Sequence, residues 1–289
     1  MTYKERINQI SPALVVKSLR TNEEGLVNDV VIVNEDTVFR FAKNEYGVRV
    51  LGNELRVMDL IRSRIDLAVP KPFYRSADAI AYPLLDGITL SRDLVLSLGE
   101  TDRQAVADQL GRFLRTLHTF PLTDAQRTEI APTPAPCRYA DWIGIRQQVE
   151  EHVWPLLMAH QRTWAQNLFD SLLRDPKAFD YAPALIHGDL GPYHLLFDDT
   201  TRRLTGVIDF GVAGLGDGAL DIGILLNVYG ETFVSLMPGV YPEIEALLPR
   251  ARFYAQTVEL QWVLAGIKTG ETFWFTAHLG NAKDIRVEW

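Results

Sequence analysis

Two short polar stretches interrupt apolar runs in the second half of the chain. The stretch IHGDLGPYHLLFD contains His187, Asp189 and His194, and the stretch GVIDFG contains Asp209. Burying unpaired charge is costly, so polar groups set between apolar runs indicate a site. Phosphoryl transfer needs groups of this kind, namely a carboxylate that orients and deprotonates a hydroxyl and ligands for a Mg²⁺ ion that bridges nucleotide phosphates.

The order and spacing of these residues narrow the chemistry. His-x-Asp, a metal ligand five positions after the Asp, and then Asp-Phe-Gly follow one another as in the catalytic and metal loops of protein kinases. The segments YHLLF and RLTGVIDF, joined by the polar turn DDTTRR, predict a hairpin. Because His194 lies at its start and Asp209 at its end, we expect both to lie near Asp189. A lone Asp-Phe-Gly is more often a simple turn, so the interpretation depends on the combination.

The elements that must position these motifs fall into two regions. The first third of the chain has β-branched, partly alternating segments and one segment with helical spacing, whereas the spacing from residue 102 onward is mainly helical. The predicted strands are 14–20, 28–36, 37–44, a pair within 69–90 and a short strand at 184–186, with turns at 34–36 and near 76–78. The predicted helices are 46–64, 102–120, two within 141–175 separated near Pro155, 217–237, 242–265 and 270–283, and TEIAPTPAPCR (128–138) is predicted as an extended loop.

These elements predict an α+β fold of two lobes. A small antiparallel β-sheet lobe with one helix is expected over residues 1–83. A larger, mainly helical lobe is expected over residues 84–289, and it carries both polar motifs at short strands and turns.

Composition excludes several classes of protein. Lys and Arg total 29 against 37 Asp and Glu, giving a formal net charge of −8, which argues against a nucleic-acid partner. The single cysteine, Cys137, permits neither an internal disulfide nor a multi-cysteine zinc site. No signal peptide and no membrane-spanning segment is recognisable, so a cytoplasmic protein without a membrane partner is expected, as a monomer.

The chain resembles the aminoglycoside phosphotransferase family, small-molecule kinases with a two-lobed protein-kinase-like fold. The stretches HGDLGPYHLLFD, TGVIDFG and SLRTNEEGLVNDVVIVNEDTVFRFAKN are most similar to the aminoglycoside 2''-phosphotransferases, and the macrolide phosphotransferases share the HGDL…H pattern. The resemblance implies Mg²⁺-dependent transfer of the γ-phosphate of ATP or GTP to a hydroxyl of a cationic aminoglycoside, which would confer resistance.

Other functions stay open at this point. The acceptor is alternatively a macrolide, which predicts an apolar pocket, or another small hydroxyl compound. A nucleotide-binding scaffold without transfer activity is a further alternative, because two positions depart from the usual residues of the family. A metal-dependent hydrolase using the His-x-Asp motif is disfavoured, since it would leave the β-lobe and the Asp-Phe-Gly stretch without a role.

The resemblance assigns roles to the two polar motifs. It makes Asp189 the catalytic base, and Asp209 and His194 the Mg²⁺ ligands. His194 stands where most of the family has Asn, and imidazole suits softer metals better than Mg²⁺. His187 and Asp221 would hold the catalytic loop by hydrogen bonds without taking part in the chemistry.

In the first lobe the resemblance implies a nucleotide site. Arg40 would grip the phosphates where the 2''-enzymes carry Lys, with Glu54 on the following helix as its partner. Lys43 is a weaker candidate, because its odd spacing from Arg40 turns it to the opposite face of the strand. Gly25 lies where kinases fold a glycine-rich loop over the phosphates.

The remaining implied contacts surround the base and the acceptor. The hinge that binds the base is placed at Tyr82, Pro83, Leu84 and Leu85, with Tyr82 guarding the pocket and with Leu196 and Ile208 below the base. The candidates for contacting the acceptor are Asp217, Glu231, Glu259 and Trp262.

Overall fold

The computed structural model describes residues 1–22, 27–270 and 285. The first lobe is built on a five-stranded antiparallel sheet in the order β1-β2-β3-β5-β4. Its strands are β1 (Leu19–Asn22), β2 (Asn28–Val33), β3 (Thr37–Ala42), β4 (Tyr74–Arg75) and β5 (Ala79–Pro83).

The turn between β2 and β3 is the predicted hairpin turn. Asn34 and Glu35, the two central residues of the turn from Val33 to Asp36, have left-handed φ angles of 54° and 55°. The Asn34 side chain also accepts the backbone N–H groups of Lys17 and Ser18. That contact holds the preceding segment against the turn, so the strand predicted from residue 14 begins only at Leu19.

Helices lie on both faces of this sheet. Helix α1 (Tyr3–Ile10), which the sequence analysis did not predict, buries Ile7 against Phe39 and Phe41. Helix α2 (Glu45–Ile61) begins after Asn44, whose side chain accepts the N–H of Gly47. It buries an apolar stripe and also two adjacent polar residues, Asn53 and Glu54, so this helix carries buried polar groups as well as packing.

The second lobe is mainly helical, as predicted. Its helices are α3 (Arg92–Ser97), α4 (Glu100–His118), α5 (Asp124–Glu129), α6 (Tyr139–Gln148), α7 (Ala159–Leu173), α8 (Ala219–Tyr229), α9 (Glu231–Val234) and α10 (Leu248–Thr269). The predicted break near Pro155 occupies a π turn and a 3-10 turn over 149–156. The helix predicted over 217–237 is divided at Gly230, whose φ of 89° ends α8. The predicted helix 270–283 lies outside the described residues beyond its first position.

Two small sheets carry the polar motifs. One contains β7 (Ala184–Ile186) and β10 (Gly214–Gly216), and the other contains β6 (Ile88–Thr89), β8 (Leu195–Asp198) and β9 (Arg203–Val207). The β8–β9 hairpin was predicted. The extended loop predicted over 128–138 is more ordered than expected, because Pro132 forms a parallel bridge with Leu215 of β10.

A second parallel bridge joins the lobes. Ala68, between α2 and β4, donates its N–H to the carbonyl of Thr205 and accepts the N–H of Val207, so it bridges Gly206 of β9. The expected two-lobed α+β architecture is thus confirmed. Within the part of the chain that the structure describes, no helix has both the length and the apolar character to span a bilayer.

Candidate active site

The catalytic-loop motif begins where β7 ends. Ile186 is the last residue of that strand, and Gly188 follows with a φ of 80°. A Cβ at Gly188 would lie 2.9 Å from the carbonyl oxygen of Val212, so this position requires glycine for both space and conformation. The turn delivers Asp189 with its side chain 56% exposed, which leaves the carboxylate open to a substrate.

Asp221 holds the backbone of this turn by hydrogen bonds. Its buried carboxylate accepts the N–H of His187 at 2.9 Å and that of Gly188 at 2.7 Å, and it bonds Nε2 of His118 at 3.1 Å. Although burial opposes ionisation, the hydrogen bond from His118 and those two amides hold the pKa of Asp221 below its usual value. A charged Asp221 therefore stabilises the loop that carries Asp189.

His187 connects the catalytic loop to the end of β9. Its Nε2–H donates to the carbonyl of Ile208 at 3.1 Å, and its Nδ1 accepts the N–H of Asp189 at 3.3 Å. Complete burial lowers the pKa of His187, so the ring is neutral at pH 7. Both ring nitrogens are used within the protein, and His187 is placed to hold the loop and not to touch a substrate.

His194 lies between the two exposed carboxylates. Its Nδ1–H donates to the backbone carbonyl of Asp189 at 2.6 Å, and the same nitrogen lies 3.8 Å from a carboxylate oxygen of Asp189. Its Nε2 lies 3.8 Å from Oδ2 of Asp209. The bond at Nδ1 fixes the tautomer and leaves the Nε2 lone pair facing Asp209, which is the usual arrangement of a metal-binding histidine. The structure thus brings together the three residues whose convergence the hairpin predicted.

Asp209 adopts an unusual backbone conformation, with a φ of 60°. Its Oδ1 accepts the N–H of Gly211 at 3.3 Å and lies 3.5 Å from Nη2 of Arg40. Burial opposes the charge of Asp209, but the guanidinium of Arg40 and the N–H of Gly211 favour it, so the pKa of Asp209 lies below its usual value. Asp209 is therefore a carboxylate at neutral pH, with its side chain still 46% exposed.

Arg40 and Glu54 form a buried ion pair beside Asp209. The Nη1 of Arg40 lies 2.6 Å from Oε1 of Glu54, which also accepts the N–H of Phe210 at 3.2 Å. Burial works against the charge of Arg40, but Glu54 more than offsets it and raises the pKa of Arg40. Among the described residues Nε of Arg40 and Oε2 of Glu54 have no hydrogen-bond partner. The Nε–H of Arg40 is thus a donor that an anionic ligand can satisfy.

The hinge residues lie at the end of β5. Tyr82 is buried, its hydroxyl accepts a hydrogen bond from Arg40, and burial raises the pKa of Tyr82 to about 12. The sequence analysis placed Tyr82 at the hinge but missed this contact. The N–H of Leu84 donates to the carbonyl of Asp36 at 2.7 Å, so that amide is not available to a base. Pro83 is the last residue of β5, and Leu85, the other residue predicted for the hinge, follows that strand.

Leu196 is buried in β8, and Ile208 is half-buried just after β9. Lys43 is paired with Asp29, away from Arg40, as its spacing indicated. Gly25 lies outside the described residues.

Two of the four predicted acceptor contacts, Asp217 and Glu231, are carboxylates paired with arginines. Asp217 is buried, binds Arg250 at 2.6 Å and 3.1 Å, accepts from the Tyr254 hydroxyl at 2.9 Å, and caps α8 through the N–H of Ala219. Glu231 is paired with Arg252, with Nε at 3.0 Å from the carboxylate.

Those two carboxylates are already neutralised by arginines, which leaves no free charge for an amino group. The other two candidates, Glu259 and Trp262, are half-buried on α10.

Sequence reasoning missed several residues that support the site. His118 lies at the end of α4, Arg250 and Arg252 lie on α10, and Asn53 precedes Glu54 on α2. Their partners are distant in the chain, so no local spacing could identify them. Within the described residues no group of three or more His, Cys, Asp or Glu side chains is close enough to hold a metal ion by itself.

Comparisons with known proteins agree with this geometry. Residues 18–254 match the model of the phosphotransferase enzyme family. Viomycin phosphotransferase of Streptomyces vinaceus is 28% identical over 244 residues, which cover 80% of each protein. The GDP and kanamycin complex of an aminoglycoside 2''-phosphotransferase superposes with a TM-score of 0.84 at 26% identity, covering 96% of this chain and 95% of that chain.

A more distant structure shares the fold. The macrolide 2'-phosphotransferase of Brachybacterium faecium has a TM-score of 0.69 at 21% identity, covering 98% of this chain and 99% of that chain. The match to the family model spans both lobes and all the motifs of the site. The chain therefore belongs to the phosphotransferase enzyme family and is a kinase whose acceptor is a hydroxyl group.

Proposed function

We propose that this protein transfers the γ-phosphate of ATP or GTP to a hydroxyl of an aminoglycoside antibiotic, as a Mg²⁺-dependent enzyme of the 2'' type, and thereby confers resistance. One observation carries the proposal. The imidazole of His194 lies 3.8 Å from the carboxylates of both Asp189 and Asp209, so the three groups share one opening. The cytoplasmic, monomeric state expected from the sequence remains part of this proposal.

Asp189 is the base in this proposal. Its carboxylate is exposed, while the backbone on either side of it is held by Asp221, His187 and His194. A fixed carboxylate can orient the acceptor hydroxyl and take its proton as the bond to phosphorus forms. Exposure of the carboxylate and rigidity of its loop together suit that role.

Asp209 and His194 fit a metal site of limited size. A Mg²⁺ ion is held in such sites by one or two protein groups, with phosphate oxygens and waters completing its shell. The carboxylate of Asp209 and the Nε2 lone pair of His194 supply those two groups. The nitrogen is a less favourable donor than the usual oxygen, although a single nitrogen among oxygens is tolerable. When bound, the metal neutralises charge on the phosphate oxygens.

Arg40 supports the assignment of the nucleotide phosphates to the same opening. Its Nε–H is buried without a partner, whereas its Nη atoms contact Glu54 and Asp209. A phosphate oxygen would satisfy that donor with a charge-assisted hydrogen bond. The solved relatives bound to GDP, ADP or ATP support a nucleotide in this cleft.

Different observations favour two different classes of acceptor. Aminoglycosides are bound in related structures, with kanamycin in one of them. The pairing of Asp217 with Arg250 and of Glu231 with Arg252 instead favours a second candidate, an acceptor with less positive charge such as a macrolide. Glu259 and Trp262 remain the candidate contacts for either acceptor.

A product assay tests the proposal. Purified protein with ATP and with GTP, in parallel, is offered a panel of aminoglycosides, macrolides and viomycin. Phosphorylation of an aminoglycoside is the expected result, and phosphorylation of a macrolide alone would transfer the proposal to the second candidate.

Replacing the base provides the matched test. Asp189→Asn should reduce turnover by about 10²- to 10⁴-fold, the usual contribution of a positioned base. Asp124→Asn, which removes an exposed carboxylate in the first turn of α5, should leave turnover unchanged. Full turnover in Asp189→Asn would refute the assignment. Calorimetric binding of nucleotide without any product would indicate the silent scaffold.

A further inference from the structure

A proline-rich segment packs against both loops of the proposed site. We propose that Thr133 in this segment, together with Asn53 of α2, is a positioning residue that sets the separation between the catalytic loop and the metal loop. The inference rests on the proposed function, because it concerns the distance from Asp189 to the metal ligand Asp209. The segment Ala131–Ala135 is called the brace below.

The brace adds a strand-like edge to the sheet that carries the catalytic loop. Its Thr133 N–H donates to the carbonyl of Leu215 at 3.0 Å, and the N–H of Leu215 donates to Ala131 at 3.1 Å. A Cβ at Gly214 would lie 2.5 Å from the carbonyl oxygen of Ala131, so the two backbones approach as closely as glycine permits. Because β10 pairs with β7, the brace supports the strand that leads into His187.

The hydroxyl of Thr133 contacts both loops where they meet. It donates to the carbonyl of Val212 at 2.8 Å and accepts the N–H of Ala135 at 3.2 Å. On its other side a Cβ at Gly188 would lie 3.1 Å from the same oxygen. Thr133 is only 7% exposed. One buried hydroxyl therefore contacts both loops at the point where Gly188, the residue before the base, meets Val212 of the segment that follows Asp209.

Asn53 fastens the same segment from the first lobe. Its Nδ2 donates to the carbonyl of Ala213 at 2.8 Å, and its Oδ1 accepts the N–H of Ala131 in the brace at 3.0 Å. The next residue, Glu54, accepts the N–H of Phe210 at 3.2 Å. Two successive side chains of α2 thus hold the metal loop at both ends, and one of them also holds the brace.

A site with two protein ligands depends on where its loops are held. Removing the Thr133 hydroxyl leaves the buried carbonyl of Val212 without this donor, so the segment after Asp209 is no longer fixed at the point where it meets Gly188. Partners outside the ligand shell typically change metal affinity or activity by about 10- to 100-fold when they are removed. The predicted effect therefore falls on the metal-dependent part of nucleotide binding.

Calorimetry with matched variants tests this inference. The probe is a non-hydrolysable ATP or GTP analogue, titrated with and without Mg²⁺. The quantity compared is the dissociation constant without Mg²⁺ divided by the dissociation constant with Mg²⁺. Thr133→Val should reduce that ratio by about 10-fold. Thr133→Ser, which keeps the hydroxyl, should retain the wild-type ratio.

Thr257→Val is the control for simple loss of a buried hydroxyl. Thr257 is fully buried on α10, and its hydroxyl donates to the carbonyl of Tyr254 at 2.8 Å, so its removal has the same chemistry elsewhere. We expect this variant to lower the melting temperature while keeping the ratio. An unchanged ratio in Thr133→Val, or an equal fall in Thr257→Val, would overturn the inference.

Asn53→Ala, compared with Asn227→Ala, repeats the test from the first lobe. Asn227 is also buried and donates to a backbone carbonyl, that of Ala255 at 3.0 Å. Asn53→Ala alone should reduce the ratio, and the same fall in both variants would count against the inference. If the nucleotide affinity of the wild-type protein does not respond to Mg²⁺, the proposed function fails and this inference fails with it. A wild-type response that survives in Thr133→Val and Asn53→Ala overturns the inference alone.

Discussion

Two clusters of polar and charged residues adjoin the catalytic loop, and they differ in whether their hydrogen-bonding groups all have partners within the protein. In the supporting cluster of His118, Asp221 and Tyr241, both ring nitrogens and both carboxylate oxygens have partners within the protein. In the cleft cluster of Arg40, Glu54 and Asp209, a buried N–H and a buried carboxylate oxygen have none among the described residues.

This difference separates scaffold from ligand site. A buried polar group without a partner costs free energy, which a bound ligand with a matching group can restore. The supporting cluster is complete and should respond to mutation through stability. The cleft cluster is incomplete and should respond through binding and turnover.

The largest expected effect tests the cleft cluster. Asp209→Asn removes the charge of one proposed metal ligand, and turnover should fall on the order of 10³-fold, the scale of losing one preorganised charge-stabilising group. The melting temperature should stay close to that of the wild type, because the side chain is 46% exposed. Steady-state kinetics and a thermal melt check both parts, and a large loss of stability would contradict the comparison.

The next effect tests the supporting cluster. Asp221→Ala leaves two buried N–H groups of the catalytic loop without an acceptor and His118 without its carboxylate. The free energy of unfolding should fall by about 2–6 kcal/mol, since each of the two buried N–H groups left without an acceptor costs about 1–3 kcal/mol. Urea denaturation measures it, and a smaller loss than in Asp209→Asn would reverse the roles of the two clusters.

The pH dependence of stability sharpens the same contrast. The pKa of Asp221 is below its ordinary value of 3.8, since the hydrogen bond from His118 and the two amides outweigh its burial. Its contribution is therefore complete above pH 3.8 and is lost as the pH falls through the lower, folded-state pKa. Acid denaturation followed by circular dichroism should show a shallower acid limb in Asp221→Asn than in the wild type.

A conservative change probes the arginine that departs from the family pattern. Arg40→Lys keeps the charge but replaces a planar fork by a single ammonium group, which cannot contact Glu54, Asp209 and a phosphate in the same geometry. Nucleotide affinity should weaken by about 10-fold, the value of one charge-assisted hydrogen bond. Calorimetry measures the nucleotide affinity, and tighter binding by the Arg40→Lys variant would show that the planar guanidinium group is not needed.

The smallest effect is expected at the periphery of the supporting cluster. Tyr241→Phe removes one hydrogen bond, from the tyrosine hydroxyl to Nδ1 of His118 at 2.8 Å. Stability should fall by about 1 kcal/mol, the usual net value of such a bond, with turnover unchanged. A loss of turnover without a loss of stability would mean that this cluster also acts on the chemistry.

The sequence predicts the cleft cluster far better than the supporting one. His187, Asp189 and His194 lie between β7 and β8, and Asp209 follows β9, so the β8–β9 hairpin brings the two stretches together. Arg40 on β3 and Glu54 on α2 were assigned by the family resemblance, and strand periodicity served only to prefer Arg40 to Lys43.

The supporting residues depend on contacts between distant segments. His118 reaches Asp221 across 103 positions, and Asn53 reaches Ala213 across 160. The arginines that neutralise Asp217 and Glu231 lie 33 and 21 positions further along. A single sequence shows the acidic residues as free because nothing in it reveals how α10 packs on α8. The brace was predicted as a loop for a related reason, since its prolines hide a strand-like pairing.

The joint between the lobes is formed by peptide groups at Ala68 and Gly206. Backbone hydrogen bonds of this kind do not depend on the identity of the surrounding side chains. Both lobes can therefore accumulate substitutions while their relative orientation stays the same. Gly206 is the exception, because a Cβ there would lie 2.8 Å from the carbonyl oxygen of Ala68. Substitutions that accumulate in this enzyme are thus expected to change the side chains around the acceptor before they change the angle between the two lobes.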